Sequence, residues 1–133
     1  ALRVWDAATG RAVFAITRDD GRFDRVGFAA GGRAVLAVGK ADRPDAAEVW
    51  RVDAATGAVA ARVKLPAVAG GDFDARFSPD GWLVALAVPA RNEVAAADTA
   101  RGETRWSRTL PRDDVPTALA FTADGKAVAV GTT

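Results

Sequence analysis

The sequence predicts an all-β fold made of repeated four-stranded antiparallel units. The first observation is an internal repeat: Asp-Ala-Ala-Thr-Gly begins at Asp6 and again at Asp53, and a degenerate copy, Asp-Thr-Ala-Arg-Gly, begins at Asp98. The second observation is that short apolar segments with period-2 alternation, separated by turn-forming residues, fill the intervals between the copies. Because a repeated supersecondary unit determines the whole architecture, these two observations predict the fold class.

A second sequence marker recurs with the same period as the Asp motif. Phe recurs at Phe28, Phe77 and Phe121, between 18 and 20 residues beyond the glycine that closes each copy of the motif. Two markers with the same spacing indicate a true repeat rather than chance similarity. The chain is therefore expected to form one domain, residues 1–133, with repeat units at approximately 1–48, 49–93 and 94–133.

The middle unit shows four short strands most clearly. Alternating apolar residues, many of them Val or Leu, favour strands in four segments, and Gly, Pro, Asp or Ser occurs between most of them. The predicted strands lie at roughly 47–53, 58–65, 72–78 and 83–90.

Two kinds of turn account for the repeated motifs. In each, an Asp carboxylate is expected to accept backbone N–H groups, and a glycine is expected to supply a positive φ angle. We therefore assign these residues to structure rather than to catalysis. The Asp and Gly of the first turn are Asp6 and Gly10, Asp53 and Gly57, and Asp98 and Gly102; those of the second turn are Asp80 and Gly81, and Asp124 and Gly125.

Four strands in about 45 residues is the period of a β-propeller blade. With strands lettered a to d from the inside outward, the chain reads c-d, a-b-c-d, a-b-c-d, a-b, which is about three blades' worth. Propellers have roughly four to eight blades. We therefore expect either a truncated segment whose remaining blades lie in cis, which the sequence favours, or a homodimer whose two chains close a ring of six blades.

The chain resembles the WD40-repeat family. Leu-Arg-Val-Trp-Asp-Ala-Ala-Thr-Gly is similar to the Trp-Asp strand of that family and its turn, and Phe-Ser-Pro-Asp-Gly is similar to its innermost strand and exit turn. The Gly-His pair of the family is absent, and Trp-Asp occurs only at Trp5-Asp6. The resemblance implies a β-propeller that binds other proteins.

The third unit is also similar to the bacterial YVTN-type propeller repeat and to the tryptophan-docking motif of quinoprotein propellers. Ala96, Asp98, Gly102 and Trp106 fit the spacing of the docking motif, although Arg101 stands where that motif has Thr. This resemblance implies an alternative: a fragment of a quinoprotein-like or other enzyme-associated propeller whose catalytic residues lie outside the chain.

The composition argues against several kinds of chemistry. The chain has no Cys and no His, so it lacks a thiolate nucleophile and the usual general base, and Ser78 and Ser107 have no standard base. Neither Asp19-Asp20 nor Asp113-Asp114 has the ligand spacing of a calcium loop. The net charge of +1 and the short apolar runs argue against nucleic acid and membrane partners. We expect no enzyme activity, cofactor or metal, and a cytoplasmic location is slightly favoured.

The resemblance to propellers implies that candidate contact residues lie in the loops that join strand d to strand a and strand b to strand c, and loops on a rigid scaffold often carry function. The alternative is a solvated rim of mixed charge. The loop candidates are Arg22, Lys40, Arg43, Arg91, Arg112 and Asp113. Trp82 is a further candidate, because it occupies the position in the repeat that Arg33 and Lys126 occupy in the other units, and this position is expected to be exposed. The alternative is that the Trp82 side chain shields the edge of a neighbouring blade.

The other aromatic residues are expected to pack between blades. Trp5, Trp50 and Trp106 fall within strands, and the three repeated Phe residues are expected in the core. The function that the sequence favours is a non-enzymatic WD40-like scaffold that binds a protein or peptide partner through the d–a and b–c loops.

Overall fold

The computed structural model describes residues 1–40, 47–66 and 72–133, and within these ranges the regular secondary structure is antiparallel β apart from short 3-10 turns. The strands are β1 Leu2–Trp5, β2 Ala12–Ile16, β3 Arg25–Ala29, β4 Ala34–Lys40, β5 Ala47–Asp53, β6 Val59–Leu65, β7 Asp74–Phe77, β8 Leu83–Val88, β9 Glu93–Asp98, β10 Thr104–Thr109, β11 Pro116–Phe121 and β12 Val128–Thr132. In the described ranges, no helix is long and apolar enough to cross a membrane.

The strands form four sheets in chain order: β1-β2, β3-β4-β5-β6, β7-β8-β9-β10 and β11-β12. This arrangement of two, four, four and two strands confirms the predicted order c-d, a-b-c-d, a-b-c-d, a-b. In the middle unit β5 to β8 lie close to the expected positions. Each motif-defined unit takes strands from two neighbouring sheets, since residue 48 lies inside β5 and residue 93 begins β9.

The Asp-Ala-Ala-Thr-Gly turns have the predicted geometry. In the first copy, Asp6 Oδ1 accepts hydrogen bonds from Ala8 N at 2.9 Å, Thr9 N at 2.8 Å and Thr9 Oγ1 at 3.0 Å, and Gly10 has a φ of 71°. Asp53 accepts the equivalent three bonds. Donation by the Thr9 backbone, and then by its hydroxyl, lowers the pKa of Asp6. A charged carboxylate is thus part of each turn.

The second turn also uses Asp as an acceptor. Asp80 Oδ1 accepts from Ser78 Oγ at 2.6 Å and from Trp82 N at 3.0 Å, and the same pattern joins Asp124 Oδ1 to Lys126 N at 3.0 Å. The φ angles are 79° at Gly81 and 70° at Gly125, and that at Gly57 is 75°. All the glycines assigned to turns therefore lie in the left-handed region where glycine is favoured.

The sheets stack face to face, with apolar cores between successive sheets. The first strands of neighbouring sheets lie beside one another, β3 next to β7 and β7 next to β11. The largest core lies between the two four-stranded sheets, and its members include Leu36, Val49, Val84 and Leu86. Smaller cores join β1-β2 to the second sheet and β11-β12 to the third. Each blade is therefore held by the apolar surface of the next.

The prediction that the aromatic residues all pack between blades is wrong at three positions. Trp50 is buried between sheets, but Trp5 is 55% exposed, Phe28 is 63% exposed and Trp106 is 37% exposed. These three side chains lie on sheets whose next neighbour within the chain is two-stranded or absent, so no strand covers them. The other repeated phenylalanines, Phe77 and Phe121, are half-buried against the cores as expected.

Candidate partner-binding site

The antiparallel sheets have two different ends. We define the turn face by the turns that join β1 to β2, β3 to β4, β5 to β6, β7 to β8, β9 to β10 and β11 to β12. We define the loop face by the opposite end, which contains residues 17–24, 89–92 and 110–115 and the strand ends beside them. The sheet topology places these two faces on opposite sides of the molecule.

The structure divides the candidate residues between the two faces. Trp82 follows the turn between β7 and β8, so it lies on the turn face. The loop-face candidates are Arg22, Lys40, Arg91, Arg112 and Asp113; Arg43 lies outside the described residues. Trp82 therefore does not belong to the same surface as the charged candidates.

Most of the cationic candidates on the loop face form ion pairs within the chain. Arg22 Nε lies 2.7 Å from Asp24 Oδ1, and the hydrogen bond from this side chain to Asp24 raises the pKa of Arg22. Lys40 Nζ lies 2.7 Å from Asp72 Oδ1, and Arg91 pairs with Glu93. These contacts are what the alternative, a solvated rim of mixed charge, would show.

The remaining loop-face candidates lie in an exposed turn. Arg112 and Asp113 are exposed, and Asp114 N donates to Pro111 O at 2.9 Å to close the turn. Asn92 Nδ2 fixes the turn by donating to Pro111 O at 2.6 Å and to Arg112 O at 3.2 Å. The backbone of this loop is thus held while its charged side chains face solvent.

Beneath the loop face lies a cluster that the sequence did not reveal. The Arg18 side chain is fully buried, and it donates to Asp20 at 3.0 Å and to Glu48 at 3.2 Å. Glu48 Oε2 also accepts from Trp50 Nε1 at 3.1 Å and from Arg62 Nη2 at 3.4 Å. The Arg62 guanidinium lies 4.0 Å from the Trp50 ring centroid. Because each member contacts another, the cluster supports the fold, although the buried Arg18 Nη1 has no hydrogen-bond partner among the described residues.

The turn face carries a cleft of about 480 Å³ beside Trp82. Trp82 is 53% exposed, and one side of its ring contacts the Arg51 guanidinium, whose central carbon lies 4.2 Å from the ring centroid. The cleft is lined by Trp82, Leu83, Asp98, Ala100, Arg101 and Arg105. It therefore combines an aromatic side chain with cationic side chains on one small surface.

Hydrogen bonds across two sheets hold Trp82 in place. Arg51 Nη2 donates to Gly81 O at 2.8 Å and lies 3.4 Å from Thr99 Oγ1. Thr99 donates its hydroxyl to Gly81 O at 2.6 Å and its N–H to Trp82 O at 3.0 Å. Partial burial lowers the pKa of Arg51, while the nearby Asp80 carboxylate opposes that change. A guanidinium remains charged in such a site, so the cation–π contact persists at neutral pH.

A buried carboxylate forms the floor of the cleft. Asp98 is buried, and its Oδ1 accepts from Arg101 N at 2.6 Å. Its Oδ2 lies 3.4 Å from Arg105 Nε without a hydrogen bond. Donation by the Arg101 backbone lowers the pKa of Asp98 against the opposing effect of burial, and the Arg105 charge contributes further. Within the described ranges, no three His, Cys, Asp or Glu side chains are grouped so as to hold a metal ion.

The sequence predicted that Trp82 is exposed, as it is, but did not predict which residues contact it. Arg51 lies in a different sheet, and no local pattern connects it with a tryptophan 31 residues further along the chain. Arg101 was visible only as a departure from the docking motif, yet its backbone caps Asp98 and its side chain lines the cleft. The segment that follows each Asp motif was therefore the part of the sequence from which the cleft residues could have been predicted.

Comparison with known proteins concerns the fold. No protein-family model matches the chain, and no curated protein matches it. Among solved structures, the chain is similar to hydrazine synthase of Kuenenia stuttgartiensis, with 21% identity over 98% of this chain and 42% of that one at a TM-score of 0.68. It is also similar to the Dos1 propeller, with 15% identity over 96% of this chain and 32% of that one at a TM-score of 0.71.

A third similar structure is Hsv2 of Kluyveromyces lactis, with 15% identity over 98% of this chain and 52% of that one at a TM-score of 0.61. The chain thus spans about a third to a half of the length of these solved chains. At such identities the similarity shows the fold alone. Together with the four-stranded antiparallel sheets, it shows that this chain has the β-propeller fold.

Proposed function

We propose that the chain is a non-enzymatic, WD40-like repeat scaffold that binds a protein or peptide partner. The observation that carries this proposal is the exposed Trp82 ring, which Arg51 and the Gly81–Thr99 hydrogen bonds hold in one position beside a cleft. Trp and Arg are enriched among the residues that contribute most to protein–protein binding. Because this ring is already ordered, little conformational entropy is lost when a partner covers it.

The lining of the cleft favours a particular partner chemistry. The free side of the indole ring accepts an apolar or aromatic side chain, and Arg101 favours a carboxylate beside it, whereas Arg105 already pairs with Asp98. The partner segment that fits is therefore a short peptide with one apolar residue next to an acidic residue.

Partner binding at the loop face remains a prediction. Arg22, Lys40 and Arg91 make ion pairs within the chain, so a partner at this face has to displace those contacts. Arg112 and Asp113 are the exposed candidates there. This difference leads us to favour the Trp82 cleft as the main contact surface.

The alternative, a fragment of a quinoprotein-like or other enzyme-associated propeller, also stays a prediction. The observation that motivates this alternative is the spacing of Ala96, Asp98, Gly102 and Trp106. In the structure Trp106 lies on the exposed surface of the outermost strand of its sheet. An absorbance band of bound quinone in the purified protein, or turnover lost on mutation of these residues, would support this alternative over the scaffold.

The experiment is a selection of random peptides on the immobilised chain, followed by titration of the selected peptides against variants. Trp82→Ala and Arg101→Ala are expected to weaken binding at least about tenfold, the usual effect of losing a hot-spot side chain. Val59→Ala, at an exposed valine on β6, is the matched control and is expected to bind normally. Equal binding by Trp82→Ala and the control, or weakening only by Arg112→Ala and Asp113→Ala, contradicts the proposed site.

A further inference from the structure

The third copy of the Asp motif departs from the other two at two positions. The first two copies read Asp-Ala-Ala-Thr-Gly, whereas the copy that begins at Asp98 reads Asp-Thr-Ala-Arg-Gly. Thr99 therefore stands where the other copies have Ala, and Arg101 stands where they have Thr. Both departures lie at the proposed site, because Thr99 bonds to the backbone of Trp82 and Arg101 lines the cleft.

The replacement of Thr by Arg removes side-chain hydrogen bonds from the third turn. In the second copy, the Thr56 hydroxyl donates to Asp53 Oδ1 at 2.9 Å and accepts from Ala58 N at 3.2 Å. Arg101 supplies only its backbone N–H, which donates to Asp98 Oδ1 at 2.6 Å. Asp98 Oδ2 is buried and has no hydrogen-bond partner among the described residues. The third turn is therefore expected to be less stable than its equivalents.

The Arg101 side chain forms no contact that compensates for this loss. Its guanidinium is exposed, and among the described residues it has neither an ion pair nor a hydrogen bond. The equivalent Thr56 is also exposed, although the complete sheet β7-β8-β9-β10 follows its own sheet. Exposure at this position is thus a property of the turn. A residue that breaks a local rule without benefit to the fold is typical of a functional position.

Thr99 uses its additional hydroxyl to hold Trp82. Its N–H donates to Trp82 O at 3.0 Å, and the equivalent Ala54 N donates to Arg33 O at 2.9 Å, so this bond belongs to the repeat. The buried Thr99 hydroxyl also donates to Gly81 O at 2.6 Å, a bond that alanine cannot form. Thr99 therefore fixes the peptide groups on both sides of Trp82, and these groups set the direction of the indole ring.

The cation that contacts the indole ring is also specific to this place in the repeat. Arg51 lies two residues before its motif Asp, where the other copies have Val4 and Ala96. Together with the two departures in the third motif, Arg51 and Trp82 form one contiguous group. Because the repeated residues account for the fold, departures that meet at one place indicate a role other than folding.

We propose that Thr99 is the positioning residue for the Trp82 ring and that Arg101 selects an acidic residue in the partner peptide. This assignment rests on the proposed function, since it gives roles to residues within that site. The turn has lost part of its own stability and has acquired a guanidinium that binds a carboxylate without first breaking a contact within the chain.

The first test uses the residue that the repeat itself has at position 101. Arg101→Thr restores the motif and is expected to raise the midpoint of thermal unfolding by about 3 °C. The matched control is the opposite change in the second copy, Thr56→Arg, which is expected to lower the midpoint by a similar amount. Circular dichroism measures both without any peptide. A midpoint for Arg101→Thr at or below that of the parent chain overturns the proposal.

The second test measures selectivity. The probes are an acidic peptide selected on the immobilised chain and the same peptide with its acidic residue changed to the corresponding amide. The parent chain is expected to prefer the acidic peptide by about tenfold, and Arg101→Thr is expected to reduce this preference to about twofold or less. Thr56→Arg is expected to keep the preference of the parent chain. Loss of selectivity in a more stable variant cannot result from unfolding, whereas an unchanged preference in Arg101→Thr overturns the proposal.

The third test separates positioning from folding at Thr99. Thr99→Ala introduces the residue of the other copies, and Gly81 O keeps its hydrogen bond from Arg51 Nη2 at 2.8 Å. The variant is expected to show increased motion of the Trp82 indole by heteronuclear NOE and to bind the acidic peptide about threefold to tenfold more weakly. Thr99→Ser keeps the hydroxyl and is expected to match the parent chain. Equal indole motion and equal affinity in the two variants overturn the role of Thr99.

Trp82→Ala distinguishes failure of this proposal from failure of the proposed function. If Trp82→Ala binds the acidic peptide as tightly as the parent chain, the cleft is not the binding site and both fail. If Trp82→Ala weakens binding while Arg101→Thr keeps the acidic preference, the proposed function holds and the role given to Arg101 is wrong.

Discussion

The Arg51 guanidinium of β5 lies 4.2 Å from the ring centroid of Trp82, which follows the turn in the next sheet. The same guanidinium donates to Gly81 O at 2.8 Å, so Arg51 fixes both the ring and the turn that presents it. One side chain thus connects two blades and positions the candidate contact residue.

Removal of Arg51 is expected to loosen Trp82. Arg51→Ala loses the cation–π contact and the hydrogen bond to Gly81 O, at a cost of about 1–2 kcal/mol in unfolding free energy. The fast motion of the Trp82 indole N–H, measured by its heteronuclear NOE, is expected to increase. Arg33→Ala, at the exposed arginine of the equivalent turn, is the control. An indole as rigid as in the parent chain would show that Arg51 does not hold Trp82.

Two glycines of the same motif are expected to respond differently to alanine. Gly10 and Gly102 have similar φ angles of 71° and 76°, but a Cβ at Gly10 meets nothing, whereas a Cβ at Gly102 overlaps the Lys64 carbonyl oxygen. Gly10→Ala is expected to cost about 1 kcal/mol from backbone strain alone. Gly102→Ala adds the overlap and is expected to cost about 3 kcal/mol in denaturant unfolding. Equal costs would mean that the turn does not pack closely against β6.

The turn carboxylates make stability depend on pH. Donation by Thr56 N, and then by the Thr56 hydroxyl and Ala55 N, lowers the pKa of Asp53. A folded pKa below the unfolded value gives a stabilisation that is present above the ordinary Asp pKa and is lost as the pH falls through the folded pKa. Asp53→Asn is therefore expected to unfold at a lower temperature than the parent chain at neutral pH, with the difference shrinking in acid. A difference that is constant from neutral pH to about pH 2 would refute this account.

The buried Arg18 depends on Glu48. Glu48→Gln leaves Arg18 and Arg62 with a neutral acceptor and is expected to cost about 2 kcal/mol, as for hydrogen bonds to charged groups. Adding Arg18→Met to Glu48→Gln removes the buried charge and is expected to restore most of the lost unfolding free energy. A double-mutant cycle from chemical denaturation measures the coupling. Additive effects of the two changes would show that Arg18 and Glu48 do not depend on each other.

Much of the fold was predictable because its determinants are local. The Asp motif at Asp6 and Asp53 satisfies its own turn within four residues, so a copy of the motif predicts a turn wherever it occurs. Alternation of apolar residues then fixed the number and order of strands between the turns.

The exposure of individual side chains was not predictable in the same way. Phe28 and Phe77 occupy the same position in the repeat, but only Phe77 has a complete sheet to pack against. Trp82 was expected to be exposed, yet its contact with Arg51 joins two sheets and leaves no pattern in the sequence. Burial and inter-sheet pairing depend on which strands are neighbours, and this information is not local.

The measurement that tests the proposed site most directly is a nuclear magnetic resonance titration of the isotope-labelled chain with a selected peptide. The account predicts that the largest shift changes occur at the Trp82 indole and at the Arg101 and Arg105 backbone amides, with little change at Arg112 and Asp113. Shift changes confined to the loop face, or absent from the Trp82 indole at saturation, would contradict the assignment of the Trp82 cleft as the partner-binding site.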